Sequence, residues 1–243
     1  MIEILESMGL IKKNYQNKNI IILGGISFLF LSLIFLLLFN INLHNIYQRY
    51  IYLIMLTSAV GLVDDIVAQN NIKGFKGHFR AFLKGNITTG FFKVIIIFLT
   101  AFFVSYGDNL IIRLINTGII ILFANLLNLL DLRPGRAYKI FFLLFIPAIF
   151  NKYWQPIFLI FSIIFIITAS AELNEKIMLG DGGSNTLGAS LGFFYSLNTS
   201  IRYKIIIFII LLLFNLLSEY YSFTLVIEKN KYLSFFDHLG RKN

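Results

Sequence analysis

Apolar runs long enough to cross a bilayer recur along this chain and constrain its fold more than any other feature. A membrane helix needs roughly 20 apolar residues, and the chain supplies such runs between short polar breaks. The composition agrees, because 58% of the residues are hydrophobic and 14% are charged, with a mean hydropathy of +0.79. Soluble domains carry about 25% charged residues. We therefore predict an all-α, polytopic bundle of transmembrane helices.

The apolar runs divide the chain into eight predicted spans. They cover approximately residues 20–39, 50–67, 87–105, 110–130, 138–153, 155–171, 184–198 and 204–226. The fifth run is short and contains Pro147, so seven spans are the alternative. We interpret 1–243 as one integral membrane domain with three parts: a cytoplasmic N-terminal segment, 1–19, the bundle, 20–226, and a cytoplasmic basic tail, 227–243. The first run is expected to be retained, because it is longer than a signal-peptide core and lacks a small-residue cleavage site.

The distribution of Lys and Arg indicates an orientation, since cytoplasmic loops carry the excess. With eight spans, fifteen of these residues lie on the side that holds both termini and five lie on the other side. Both termini are therefore predicted to be cytoplasmic. Lys93 falls inside the third span, near its cytoplasmic end, where its side chain is expected to snorkel. The basic face is expected to attract anionic lipid head groups.

Four aspartates from three separate segments are predicted to reach this same face. Asp64 and Asp65 end the second span, Asp131 ends the fourth, and Asp181 falls in the loop between the sixth and seventh. Asp108 is the only acid predicted on the opposite face. Charged groups beside a membrane are costly unless they have partners or a function. Local capping or pairing with the basic loops is the alternative for each residue taken alone.

The sequences around two of these aspartates favour a shared site. In "NLLNLLD", Asn125, Asn128 and Asp131 recur every three residues and are expected to form one polar ridge on a helix. In "GDGGS", the glycines predict a permissive loop, with Ser184 capping the next helix and backbone N–H groups available to a phosphate. Small residues then recur every four positions, at Ser184, Gly188 and Gly192, a pattern that favours close helix packing over chemistry.

These segments resemble the signature motifs of the polyprenyl-phosphate N-acetylhexosamine-1-phosphate transferases. "GLVDD" is similar to the family's Gly-x-x-Asp-Asp, "NLLNLLD" to its Asn-x-x-Asn-x-x-Asp, and "GDGGS" to its Gly-Asp-x-Gly-Ser. The motifs occur in the family's order between Gly61 and Ser184. The resemblance implies transfer of a sugar 1-phosphate from a UDP-sugar to polyprenyl phosphate, such as undecaprenyl phosphate. The reaction would occur at the cytoplasmic face, release UMP and serve cell-envelope glycan synthesis.

The resemblance also implies roles for individual residues. Asp181, with Asp64, would bind Mg²⁺, with Mn²⁺ as the alternative metal, and carboxylate oxygens suit both ions. The residues expected to take part in catalysis are Asp64, Asp65 and Asp131. Substrate is expected to contact Asn125, Asn128, Gly182 and Ser184. The basic loop offers phosphate ligands, for which the candidates are Lys76, Arg80 and Lys84. His78 is expected to be an ordinary loop residue.

The chain departs from the family at two places. Asp131 is followed by "LRPG", with Pro134 where the family commonly has a second acid, and the C-terminal tail carries a single histidine, His238, in place of a histidine-rich loop. These departures disfavour a pentapeptide-linked substrate and leave two alternatives, a divergent member with a different donor and an inactive relative.

A membrane transporter or proton relay is the hypothesis from a different class, and Glu219 in "NLLSEYYSF" would be its intramembrane acid. The clustering of acids on one face and the lack of an inverted repeat oppose it. Glu219 is otherwise expected to belong to a polar cluster with Asn215, Tyr220 and Tyr221.

The expected partners of the protein are a lipid carrier, a UDP-sugar and membrane lipids, without nucleic acid. A homodimer is left open.

Overall fold

The computed structural model describes residues 2–38, 45–67, 77, 80–81, 83–86, 88–107 and 109–241. Its described helices are α1 (Ile2–Ser7), α2 (Gly24–Leu38), α3 (Asn45–Val67), α4 (Thr89–Val104), α5 (Leu110–Leu130), α6 (Arg136–Phe145), α7 (Gln155–Leu173), α8 (Gly180–Asn198), α9 (Ile201–Ser218), α10 (Phe223–Lys229) and α11 (Lys231–His238). A 3₁₀ turn, Ile146–Phe150, follows α6, and the strands are β1 (Ile11–Lys13), β2 (Asn19–Ile22) and β3 (Ile177–Met178).

Within the described residues, four helices are long and apolar enough to cross a membrane: α3, α5, α7 and α9. Helices α2 and α4 are apolar but shorter. The predicted fifth span forms a ten-residue helix, α6, and then the 3₁₀ turn that contains Pro147. The helical fold class and the presence of membrane-length apolar helices are confirmed, and the count of eight spans stays a prediction.

Two predicted spans include residues that do not belong to the expected helix. The first span was expected to begin at residue 20, but Asn19–Ile22 forms a strand that pairs antiparallel with β1 and parallel with β3. A short buried strand cannot be distinguished from a buried helical turn by apolar content alone. The last span was expected to continue to residue 226, but α9 ends at Ser218 and a separate helix begins at Phe223.

Helix α8 occupies the centre of the bundle and packs against α2, α3 and α5. Its small residues allow backbones to touch: a Cβ on Gly188 would lie 2.2 Å from the Phe123 carbonyl oxygen, and one on Gly192 would lie 2.4 Å from the Ile120 Cα. The prediction that this small-residue repeat serves packing is confirmed. Nearly all of α8 is buried, whereas α9 packs mainly on α5 and exposes most of its surface.

The C-terminal helices fold back onto the segment that follows α5. The Arg136 guanidinium donates to both carboxylate oxygens of Asp237, at 2.7 and 2.8 Å, and Arg241 donates to one of them at 2.9 Å. Burial raises the pKa of Asp237, but the hydrogen bonds and charges of Arg136 and Arg241 outweigh it and leave the pKa below its ordinary value. This ion-pair cluster fixes α11 against the start of α6.

We expect Asp237→Asn to destabilise the protein by about 3 kcal/mol at neutral pH, because Arg136 is 2% exposed and would lose its counter-charge. Since the folded pKa is lowered, the stabilisation is present above the ordinary aspartate pKa of about 4 and disappears as the pH falls through the folded value. Thermal unfolding of the two proteins from pH 7 to pH 3 should show converging stabilities. Glu228→Gln, which removes a more exposed ion pair with Arg133, is the control and should change stability by less than about 1 kcal/mol.

Candidate functional site

Two of the three motif segments meet where the end of α3 crosses the first turn of α8. A Cβ on Gly61 would lie 2.5 Å from the Gly182 Cα, and one on Gly182 would lie 2.6 Å from the Gly25 Cα. Glycine is therefore required on both sides of this crossing, because any side chain would separate the backbones. The contact places Asp64 and Asp65, on the last turn of α3, beside Asp181, on the first turn of α8.

A buried lysine joins two of these carboxylates. Lys93, in the second turn of α4, lies 2.6 Å from the Asp64 carboxylate through its Nζ and also forms an ion pair with Asp181. Its side chain is only 12% exposed. The predicted snorkelling of Lys93 is therefore wrong, because the ammonium group points inward to two carboxylates. Its position as a lone charge in an apolar helix was the signal that the sequence offered.

Asp65 has different partners from Asp64. It is 4% exposed, accepts the Gly182 N–H at 3.1 Å, and lies 3.4 Å from the Lys12 ammonium of β1. The residue before α8, Leu179, makes no side-chain cap, so Asp65 supplies a carboxylate to the N-terminus of α8 from a neighbouring helix. The prediction that Ser184 caps this helix is wrong, because α8 begins at Gly180 and Ser184 lies inside it.

The predicted polar ridge of α5 divides between different neighbours. The Ser184 hydroxyl lies 2.9 Å from the Asn128 side-chain oxygen and 2.7 Å from the Gly180 carbonyl oxygen. The Asn125 side chain instead donates to Asn215 of α9 at 2.6 Å. Three residues along a helix cover about 300°, so each step of three leaves the side chain about 60° short of a full turn. The prediction that Asn125, Asn128 and Asp131 share one face is therefore wrong. Asn128 lies at the α8 interface, whereas Asn125 faces α9.

Asp131 ends α5 as a buried carboxylate that lies near other acids. It is 4% exposed, and neither of its carboxylate oxygens accepts a hydrogen bond from the described part of the chain. The pKa of Asp131 is raised well above its usual range, first by burial and then by the negative charges of Glu172, Asp181 and Asp65. Glu172 of α7, which the sequence analysis did not identify, is 2% exposed and accepts the Gly135 N–H at 3.1 Å.

The basic loop is described only in part. Arg80 and Lys84 are exposed, and neither forms an ion pair with the aspartates within the described segments 80–81 and 83–86. The other loop candidate, Lys76, together with His78 and Asp108, lies outside the described residues. Gly182 is buried, and its N–H is already used by Asp65. The predicted substrate contacts of these residues therefore stay predictions.

The residues at this crossing fit a divalent cation that takes only part of its coordination shell from protein. Among described residues, no group of three or more His, Asp or Glu side chains has a metal-binding arrangement. Asp64 and Asp181 nevertheless point one oxygen each at the same cationic group, the Lys93 ammonium, and the second oxygen of Asp64 is buried without a hydrogen bond from the described chain. Mg²⁺ usually takes one or two carboxylates together with phosphates and water. Two such ligands therefore suit a magnesium site that substrate completes.

The acid required by the transporter hypothesis is poorly placed for it. Glu219 follows the last residue of α9 and is exposed, and the adjacent Tyr220 and Tyr221 are 72% and 62% exposed. Asn215 faces Asn125 on α5. Glu219 therefore lies at an exposed helix end and not inside a helix interface, and its contact with the tyrosines stays a prediction. His238, on α11, is exposed and bonded to its own helix at Ser234.

Comparisons of the chain with models of protein families, with curated proteins and with solved structures gave no match. Functional inference for this protein therefore rests on its motifs and on the geometry of the site.

We expect Asp131→Asn to leave the stability unchanged below about pH 4 and to raise it by about 1–3 kcal/mol at higher pH, because the substitution removes a buried charge that lies near other acids. The folded pKa of Asp131 is raised, so the wild-type protein loses stability relative to the variant as the pH rises above the ordinary aspartate value of about 4. Thermal unfolding of both proteins between pH 4 and pH 8 measures this difference. A variant less stable than wild type at pH 8 would show that the carboxylate has a stabilising partner.

Proposed function

We propose that this protein is a multi-pass membrane enzyme that transfers a sugar 1-phosphate from a UDP-sugar to polyprenyl phosphate, with Mg²⁺, and releases UMP. The observation that carries the proposal is the meeting of Asp64 and Asp181 at the buried Lys93 ammonium, with Asp65 bound to the N–H of the adjacent Gly182. These residues come from two sequence motifs more than a hundred residues apart. A purely structural role would not require two separate acidic motifs to meet at one buried position.

The reaction would occur on the face that carries the excess of Lys and Arg, which we infer to be cytoplasmic. An N-acetylhexosamine is the proposed sugar, and the product would enter cell-envelope glycan synthesis. In the transfer, an oxygen of the lipid phosphate forms a bond to the β-phosphorus of the UDP-sugar. The bond from that phosphorus to the bridging oxygen breaks, and UMP departs with the bridging oxygen.

Asp64 and Asp181 are the residues that would hold the metal. When bound, Mg²⁺ would supply neutralisation of the negative charge on the pyrophosphate. Asp65 holds the N-terminus of α8 through the Gly182 N–H and so fixes the position of Asp181. Asp65 acts in this scheme as a positioning residue. Because a phosphate acceptor is already largely ionised near neutral pH, neither residue of the Asp64–Asp65 pair is required as a base.

Lys93 provides a positive charge inside the site. Its ammonium group compensates Asp64 and Asp181, and a charge at this position can also pair with the oxygens of an incoming phosphate. Arg80 and Lys84, on the exposed loop, would add charge at the rim. The unpaired carboxylate of Asp131 and the side chain of Asn128 offer hydrogen-bond acceptors and donors to the nucleotide-sugar.

The reaction can be tested directly. Purified protein with Mg²⁺, undecaprenyl phosphate and radiolabelled UDP-N-acetylhexosamines is expected to produce labelled lipid and UMP in equal amounts. Absence of product across a panel of UDP-sugars, from protein that remains folded, would favour the inactive relative over the enzyme.

We expect Asp181→Asn to lower the transfer rate at least about a hundredfold, since the loss of partners that only support metal ligands already costs 10–100-fold. Asn retains one oxygen and fits the first turn of a helix, so the stability should change little. Glu219→Gln is the control, because it changes an exposed residue at the end of α9 and should leave the transfer rate intact. Rapid transfer by Asp181→Asn with an unchanged magnesium dependence would contradict the assigned role.

Lys93→Met provides a test that needs no substrate. Without metal, the variant has two carboxylates that have lost their shared cation, so we expect a lower unfolding temperature than in the wild type. Mg²⁺ should then raise the unfolding temperature of Lys93→Met more than that of the wild type, because the ammonium no longer competes for the same oxygens. Lys12→Met is the matched control, since Lys12 pairs with Asp65 alone and its side chain is 36% exposed. An equal magnesium effect in all three proteins would argue against a metal at Asp64 and Asp181.

A further inference from the structure

The amphipathic pattern of α11 is reversed with respect to that of a helix on a water-soluble protein. Its inward face carries Asp237, which is 4% exposed, and the half-buried Ser234. Its outward face carries large apolar side chains, with exposed fractions of 84% for Tyr232, 72% for Phe235, 54% for Leu239, which follows the helix, and 40% for Phe236. A surface helix in water turns its apolar stripe toward the core. An outward apolar stripe indicates that the surrounding medium is itself apolar.

The inward face cannot rotate to hide these side chains. Arg136 and Arg241 hold the Asp237 carboxylate, and the Lys139 ammonium donates to the Asp237 backbone carbonyl at 2.6 Å. Arg241 also donates to the Pro134 carbonyl at 2.9 Å. Because these contacts fix the helix about its own axis, the outward exposure of Tyr232 and Phe235 is built into the fold.

The position of α11 relative to the long helices suggests which medium it meets. It contacts the segment 134–139, which follows the C-terminal end of α5, and it is reached through α10 directly after α9 ends. If α5 and α9 cross a membrane, α11 lies at the level of their ends, where head groups meet acyl chains. Helix α10 adds exposed Leu225 and Val226, at 57% and 49%.

Basic residues flank this apolar stripe. Lys229 and Lys231 are both exposed at the junction of α10 and α11, beside an aromatic side chain, Tyr232, of the kind that concentrates at membrane interfaces. Exposed lysines near a bilayer surface favour anionic lipids. The charge and the apolar stripe together match the boundary region of an anionic leaflet.

We propose that α10 and α11, residues 223–238, form an interfacial helix pair that rests on an anionic lipid leaflet. Tyr232, Phe235, Phe236 and Leu239 lie in the boundary between head groups and acyl chains, while Lys229 and Lys231 meet lipid phosphates. The inference rests on the membrane-spanning arrangement proposed above and does not depend on the transfer reaction. It also links lipid to the site, because Asp237 and Arg241 hold the segment that follows Asp131.

The absence of cysteine from the chain permits a clean labelling experiment on the full-length protein. Phe235→Cys and, separately, His238→Cys would be spin-labelled in nanodiscs that contain phosphatidylcholine and phosphatidylglycerol. Both positions are exposed and lie on the same helix, with His238 about 60° around the helix from Phe235 and about 120° from Tyr232, on the side of Ser234. We expect the label at position 235 to be accessible to oxygen and severalfold less accessible than that at position 238 to a water-soluble nickel complex. Tyr232→Cys should repeat the pattern of Phe235→Cys.

Nickel accessibility at positions 232 and 235 that is high and equal to that at position 238 would show that the stripe faces water and would overturn the proposal. Protection of position 235 from both oxygen and nickel would show that protein covers it, as a second copy or another chain, and would also overturn it. In nanodiscs of phosphatidylcholine alone, we expect the nickel accessibility at position 235 to rise. Lys229→Gln combined with Lys231→Gln should produce the same rise in anionic nanodiscs, and no change in either case would remove lipid charge from the proposal.

Discussion

The contact between α3 and α8 at Gly61 and Gly182 is the constraint on which the rest of the site depends. Because a Cβ on Gly61 would lie only 2.5 Å from the Gly182 Cα, the two backbones are as close as glycine permits. Asp64 and Asp65 follow Gly61 by three and four residues, so the periodicity of α3 returns them to the side of the contact. Asp181 precedes Gly182 directly. The acidic site is therefore a geometric consequence of one crossing, and the Lys93 ammonium supplies the positive charge that the crossing requires.

The buried charges at this end of the bundle contribute little to the stability of the fold. Removing two charges from water costs more than their mutual attraction usually returns, so a buried ion pair is weak evidence for a stabilising role. Here, Asp64, Asp65 and Asp131 are all buried, and the pKa of Asp131 is raised by burial and then by the negative charges of nearby acids. An apolar side chain would be the more stable choice at the Asp131 position. A buried acid with a perturbed pKa, such as Asp131, agrees with the proposed function but is also found in purely structural charge networks.

The sequence was informative for acids that belong to a polar motif at a helix end and uninformative for charged residues that lack such a motif. The meeting of Asp64 and Asp65 with Asp181 could be predicted, because all three end or begin apolar helices on one inferred face. Lys93 could not be assigned to them, since a lysine near a helix end is equally compatible with snorkelling to water. Glu172 was missed for a similar reason: it ends an apolar helix without a surrounding motif, and only the packing of α7 brings it to Gly135. Strand β2 was missed because three consecutive isoleucines suit a helix and a strand alike.

The turn after Asp131 shows how the departure from the family pattern is accommodated. Pro134 stands where a second acid is common in the resembling family, and its carbonyl oxygen accepts a hydrogen bond from Arg241. The next residue, Gly135, has a φ of 68°, which favours glycine, and its N–H is bound by the Glu172 carboxylate at 3.1 Å. A carboxylate therefore does lie beside this turn, although it comes from α7. The electrostatic field at Asp131 depends on where charges lie and not on which segment carries them. Asp131 therefore has an acidic neighbour although position 134 is a proline. The pKa of Asp131 reflects this, because it is raised first by burial and then by Glu172.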